Sequence, residues 1–305
     1  MRFEPYLVCQ IEIILSCIIK LEGCMGRLME ARDTFFVRFW GVRGSIACPG
    51  PNTLRYGGNT SCLEIQCGDR MLIFDAGTGL RGLGEELLSR GPVDADLFLT
   101  HTHFDHVCGL PFFVPLFIPG NKIRLAAGHL QPEKSLKQVV VDMMMAPLFP
   151  VPPGIFQAEV AYRDFAAGDL QEPGPGIRIL TAPLNHPNNA TGYRIEFSGK
   201  SITYVTDTEH GEDGLDQTIV ELVKGADLFI YDCTYTDEEY QRFKGFGHST
   251  WQEGVRLADE AGVKTLVIFH HDPSHDDEMM DKIGGDAENA RPGTLVAREG
   301  MTLMP

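Results

Sequence analysis

The segment Leu99–Leu110, LTHTHFDHVCGL, places the strongest constraint on what this chain can fold into. His101, His103, Asp105 and His106 follow directly on the apolar run ADLFL, so three imidazoles and a carboxylate stand on the corner that leaves a buried strand. Three of the ten histidines of the chain fall within that corner. A neutral imidazole is the commonest protein ligand for zinc and carboxylates complete such sites, so the spacing offers up to four donors from one turn. A solvated loop that happens to carry histidines is the competing explanation, and their crowding beside a buried strand argues against it.

One corner cannot finish a metal site, because zinc takes further ligands and keeps a position for water. His186 lies in APLNHPNNATGY after the strand IRIL, Asp207 closes SITYVTD, and His270 closes KTLVIFH. Each donor sits at the C-terminal end of a strand, where loops of an open α/β sheet converge on a ligand. Singly they have plainer explanations: His186 as a surface residue, Asp207 as a turn-starting Asp bonded to its own backbone. As a set they demand a fold that gathers several strand ends in one place.

The remaining pattern fits such a fold. FFVRFWGV, CLEIQC, RMLIFDAG and DADLFLTH read as strands broken by Gly, Pro and Asn, and IRIL, GYRIEF, SITYVTD, ADLFIYD and KTLVIFHH form a later group. Helical spacing covers GLRGLGEELLSR, PEKSLKQVVVDMMM with Pro132 near its start, GLDQTIVELVKG and STWQEGVRLADEAG. The strands come in two groups, each with helices and without a linker between them, which predicts one domain of two β-rich halves over residues 34–305. Residues 1–33 form an N-terminal extension. Its apolar stretch YLVCQIEIILSCIIKL is too short and too interrupted by Gln10, Glu12 and Lys20 to span a bilayer, and it lacks the layout of a signal peptide. It reads either as an amphipathic helix or as a poorly ordered extension. No membrane partner is expected.

Charge and cysteine usage narrow the partners. The net charge of −16 works against extensive contact with a phosphate backbone, so long nucleic acid is not an expected partner. The 8 cysteines form no CxxC pair and read as reduced thiols in a cytoplasm.

The ordered series FDAGTG, HTHFDH, NHP, TDTEH, GHST and IFHH, running from about Phe35 to the C-terminus, resembles the metallo-β-lactamase superfamily. The resemblance implies an α/β (α+β) fold, a four-layer αβ/βα sandwich with two divalent metal ions in the cleft between its halves. It implies one ion on His101, His103 and His186, the other on Asp105, His106 and His270, with Asp207 bridging them and Asp75 supporting the cluster from behind its ligands. A hydroxide between two such ions has its pKa lowered to about 7 or below, which supplies a nucleophile without a serine or cysteine. Relatives that reduce oxygen with two irons carry an acidic residue where His103 stands, so Zn2+ and hydrolysis are expected, with Mn2+ as the second candidate.

FIYDCTY and FGHST further resemble ribonuclease Z and related phosphodiesterases. In those proteins a carboxylate orients a histidine that binds the phosphate or protonates the leaving oxygen. These positions match Asp232 and His248, which with Asp105 make up the expected catalytic set, although the family usually has Glu where Asp232 stands. A helix N-cap at Ser249 or Thr250 is compatible with that role. The tRNA-gripping arm of ribonuclease Z is inserted between the positions of His186 and Asp207, here joined only by PNNATGYRIEFSGKSITYVT. The expected activity is therefore hydrolysis of a small phosphodiester such as a cyclic nucleotide. A carboxylic ester, lactone or thioester hydrolase on the same fold is the alternative, and a non-enzymatic metal-binding sensor is the third reading.

FWGVRGSIACPGPNTLRYGGNTSCLEI resembles a bacterial subgroup of stand-alone metal-dependent hydrolases and makes Arg43, Asn59 and Thr60 polar candidates near the cleft. Around the Pro-rich loop APLFPVPPG, the side chains Leu148, Phe149, Val151 and Phe156 are cover for the cleft, cover for a partner such as a second copy in a homodimer, or core.

Overall fold

The computed structural model describes residues 34–305, and the N-terminal extension, with the two readings given for it, lies outside the described residues. Two seven-stranded sheets carry the chain. The first is built from β1 (Phe35–Gly41), β2 (Cys62–Cys67), β3 (Arg70–Phe74), β4 (Asp94–Leu99), β5 (Lys122–Ala127) and β6 (Glu159–Asp164), with the last strand, β14 (Thr302–Leu303), on the free edge of β1. The second holds β7 (Gln171–Gly174), β8 (Ile177–Leu184), β9 (Ala190–Phe197), β10 (Lys200–Val205), β11 (Leu228–Asp232), β12 (Thr265–Phe269) and β13 (Leu295–Val296) in that order. Each sheet is antiparallel along one half and parallel along the other, β3 to β6 in the first and β10 to β13 in the second.

The two-residue period of a strand sorts side chains between layers. In β3, Leu72 and Phe74 enter the core between the sheets while Ile73 faces the outer layer; in β11, Leu228 and Ile230 point inward and Phe229 and Tyr231 outward. Both faces of these strands are covered, so they read as near-continuous apolar runs. Helices α1 (Gly79–Leu87) and α3 (Leu136–Met143) bury Leu80, Leu83, Leu87, Leu136 and Val140 on the first sheet. Helices α4 (Gln217–Val223), α6 (Trp251–Glu260) and α7 (Asp277–Ala290) cover the second. The result is the expected four-layer αβ/βα sandwich. Two short helices, α2 (Phe104–Val107) and α5 (Asp237–Phe243), sit on loops beyond strand ends.

Several expectations are adjusted. The helix read from Pro132 begins at Leu136, because the Ser135 hydroxyl accepts from Gln138 N and caps it there. The α1 segment stops at Leu87 and not at Arg90. Thr250, not Ser249, is the N-cap of α6. Phe149 and Phe156 pack partly buried on the outer core of the first sheet, whereas Leu148 is 82% exposed. Among the described residues no helix is long and apolar enough to cross a membrane.

Candidate metal centre

Nine chemistry-bearing residues reach one rim of the sandwich from strand ends. Asp75 follows β3, His101 and His103 follow β4, and Asp105 and His106 stand on α2. His186 follows β8, Asp207 follows β10, Asp232 ends β11 and His270 follows β12. Three of them, Asp75, Asp207 and His270, take left-handed backbone conformations with φ of 61°, 57° and 62°. Such conformations cost on the order of 1 kcal/mol or more for a residue with a Cβ and persist where the surroundings over-determine them. Here each turn folds the side chain back over the sheet edge into the common centre.

Asp207 lies at the middle, almost fully buried. Its Oδ1 is 3.7 Å from His101 Nε2 and 3.8 Å from His186 Nε2, and its Oδ2 is 3.2 Å from His106 Nε2 and 3.3 Å from His270 Nε2. Asp105 Oδ2 stands 3.3 Å from His106 Nε2 and 3.6 Å from His270 Nε2, held by a hydrogen bond from Ser45 N. The far side of each imidazole is tied down, which fixes its tautomer. His106 Nδ1 is 2.9 Å from Asp75 Oδ2 and His101 Nδ1 is 3.1 Å from the Thr100 hydroxyl, which itself bonds to Asp75. His270 Nδ1 is 3.0 Å from Thr234 Oγ1, a hydroxyl that donates to Asp232 Oδ1. His186 Nδ1 donates to the Gly247 carbonyl at 2.8 Å.

This wiring aims ring nitrogens inward. The Nε2 atoms of His101, His106 and His270 are buried and have no hydrogen-bond partner. His103 Nε2 faces Asn188 Oδ1, so its Nδ1 is unprotonated, and it meets the unprotonated Nε2 of His186 at 3.0 Å. Two lone pairs at that distance repel unless a cation lies between them, and orphaned buried nitrogens carry a desolvation cost of about 1–3 kcal/mol each. The donor atoms of His101, His103 and His186, of Asp105, His106 and His270, and of His101, His106 and Asp207 each form a cluster compact enough to hold a metal ion. The residues therefore fit divalent metal ions.

The electrostatics agree. Burial pushes His101 well below the usual imidazole range, as a ligand requires. Burial also opposes charge on His106, but Asp207, Asp105 and Asp75 overcome it and hold that imidazole high. Behind this group, His248 Nδ1 bonds Asp232 Oδ2 at 3.0 Å and lies 3.8 Å from Asp207 Oδ1. Burial disfavours its charge too, yet the buried Asp232 carboxylate outweighs that and raises His248 to about 9.

All the residues singled out as ligands or catalytic groups are thus brought together. The polar candidates of the Arg43 segment are not free to meet a substrate. Arg43 is fully buried, its guanidinium donating to the carbonyls of Gly57, Asp272 and His275. Asn59 bonds Glu299, and Thr60 exchanges hydrogen bonds with Thr78. These residues brace the rim. Sequence reasoning passed over Thr100, Thr234 and the Gly247 carbonyl, which orient ligands, and the buried His129, whose Nε2 is 3.1 Å from Thr102 Oγ1. Thr100 and Thr234 each lie within two residues of a strand end, the one signal they carry.

Residues 70–271 match the family described as "Beta-lactamase superfamily domain". A curated relative, "Ribonuclease Z" from Brevibacillus brevis, is 35% identical over 300 residues, covering 81% of this chain and 91% of its own length. The chain belongs to the metallo-β-lactamase superfamily, in its ribonuclease Z-like branch. A second "Ribonuclease Z", from Haloarcula marismortui, is 26% identical, covering 88% of the chain and 96% of its own length. The solved metallo-β-lactamase fold protein YhfI from Bacillus subtilis shares the fold, with a TM-score of 0.68 at 20% identity, covering 89% of this chain and 99% of that one. The human short-form tRNase Z shares it too, with a TM-score of 0.61 at 20% identity over 88% of this chain and 98% of that one. As a member of this superfamily branch the chain is a metal-dependent hydrolase.

Proposed function

We propose that this hydrolase is a phosphodiesterase with two divalent ions, Zn2+ as the resident metal, that acts on small phosphodiesters in a reducing, cytoplasmic setting. One ion is assigned to His101, His103 and His186 and the other to Asp105, His106 and His270, with Asp207 between them because each of its oxygens faces a different group. When bound, such ions activate water and polarise the phosphoryl oxygens of the substrate. The chain's own residues do the rest. Asp75, Thr100, Thr234 and the Gly247 carbonyl hold the imidazoles in the tautomer that presents a lone pair inward.

The observation that carries the phosphodiester reading is the His248–Asp232 pair. With Nδ1 held by Asp232, His248 keeps its second proton on Nε2, and the buried Asp232 carboxylate favours its charged form. It is then equipped to meet a phosphate oxygen and to give the Nε2 proton to a departing alkoxide. A substrate whose leaving group needs no such help leaves this pair without a task.

Small size of the substrate is supported by the path between His186 and Asp207. β9 and β10 form a plain hairpin there, with only Ser198 and Gly199 between them, so no gripping arm stands at that place. The relatives named ribonuclease Z make precursor tRNA the competing substrate. A panel of bis(p-nitrophenyl) phosphate, a lactone and a glutathione thioester, assayed on zinc-loaded protein with metal content determined in parallel, tests the reading. Turnover of the diester is expected; turnover of the lactone alone overturns it.

A further inference from the structure

An apolar pocket of about 580 Å³ lies against the histidine corner. Thr102 and Phe104, which alternate along the chain with His101, His103 and Asp105, form one wall, and Phe112, Met143, Leu148 and Phe149 form much of the rest. The short α2 thus works on two sides: Asp105 and His106 are buried toward the metal centre, while Phe104 is 74% exposed toward the pocket. Phe112 and Leu148 are also well exposed, and the rings of Phe112 and Phe149 meet edge to face at 5.8 Å. Gathering several large apolar side chains in one open hollow is costly for a soluble protein, and such hollows mark binding sites. A single ion pair, Lys134 with Asp142 at 2.7 Å, belongs to the lining and offers one donor and one acceptor.

We propose that this pocket binds an aromatic ring carried by the substrate, joined to the group that reacts at the metal centre. The three phenylalanines and the Met143 thioether suit a flat ring, which gains from edge-to-face and sulfur contacts beyond its buried area. The occupant is assigned to the substrate because Thr102 and Phe104, which line the pocket, belong to the same turn as His101, His103 and Asp105. The identity of that reacting group rests on the phosphodiesterase reading; the pocket does not.

Calorimetric titration of full-length, zinc-loaded protein with benzylphosphonate and methylphosphonate tests the proposal without any turnover, since the two ligands share one metal-seeking head. Benzylphosphonate is expected to bind at least ~10-fold more tightly, the equivalent of about 1.4 kcal/mol. Phe112→Ser and Leu148→Ser should each erase most of that preference while methylphosphonate binds as before. Equal affinity for the two ligands in the unsubstituted protein overturns the proposal, and so does a variant that weakens both alike. Light scattering on the same samples gives the remaining outcome: a dimer that dissociates on Phe112→Ser makes the face an interface between copies of this chain and overturns the substrate assignment. Should the phosphodiesterase reading be the part in error, diesters are not hydrolysed while the benzyl preference persists.

Discussion

Asp207 divides its two oxygens between two sets of imidazoles, so its removal uncouples both sets at once. Asp207→Ala should stay folded by circular dichroism, lose metal by elemental analysis and hydrolyse almost nothing; retention of two metals per chain refutes the bridging role. His248→Ala tests a different function. It should keep its metal and lose roughly 10²- to 10⁴-fold in kcat on a diester with a poor leaving group, but far less on a nitrophenyl ester, whose phenolate departs without a proton. Equal losses on the two substrates mean that His248 holds phosphate or fold instead. The pH dependence of metal uptake follows from His106. In the metal-free protein its carboxylate neighbours raise its pKa above the ordinary value despite burial, so at neutral pH it carries a proton that an incoming ion must expel. Affinity should therefore weaken as pH falls, and titrations in buffers of different ionisation enthalpy should detect proton release; uptake without release at neutral pH contradicts this. The candidate ligands were legible because four of them crowd one local motif and the others end apolar strands. Thr234 and the Gly247 carbonyl were not, since what makes them matter is a contact with His270 or His186 across 36 or 61 residues of sequence.

Loops at the rim are shaped by positions that exclude a side chain. Gly247 has φ of +87°, and a Cβ there would sit 2.3 Å from His186 Nδ1. Gly247→Ala is thus expected to strain the backbone and push His186 away from its carbonyl partner. The variant should melt close to the parent, because the sheets are untouched, yet bind less metal; an alanine variant with full metal content and activity contradicts this. The sequence resolved β1 to β4, β8 to β12 and the helices α1, α4 and α6, whose apolar periods are clean, and passed over the interior strand β5. It did not resolve β6, where Glu159–Asp164 alternates between exposed and half-buried on a sheet edge and lacks an apolar run. Nor did it resolve α7: its buried residues Met280, Ile283 and Ala287 keep helical spacing, but Gly284, Gly285 and several acidic residues dilute the signal. The short strands β13 and β14 pair with β12 and β1, which no local pattern announces.

Across the whole molecule, two sheets that gather their donors at one rim make a concentrated positive site once metal is bound, inside a chain of net charge −16. Which field a substrate feels depends on its size. A small diester reaching the cleft interacts at contact range with the ions and His248, whereas the surrounding negative charge acts over a Debye length of about 10 Å at 0.1 M salt and about 30 Å at 0.01 M. A precursor tRNA spreads its phosphates over far more of that negative surface, and the plain β9–β10 hairpin supplies no basic arm to offset the repulsion. Raising salt from about 0.01 to 0.1 M should therefore change kcat/KM for the small diester by no more than ~3-fold and raise it more steeply for the tRNA, because screening removes repulsion between like charges. A protein that grips RNA through lysines and arginines behaves oppositely, since added salt competes with each phosphate contact. The two slopes differ in sign, so the measurement discriminates even if both substrates are cleaved. Precursor tRNA should be processed at least ~10²-fold less efficiently than the diester at low salt. If it is instead the better substrate and its cleavage weakens as salt rises, the acidic surface does not govern access, and a basic RNA-binding face must exist on this chain or on a partner.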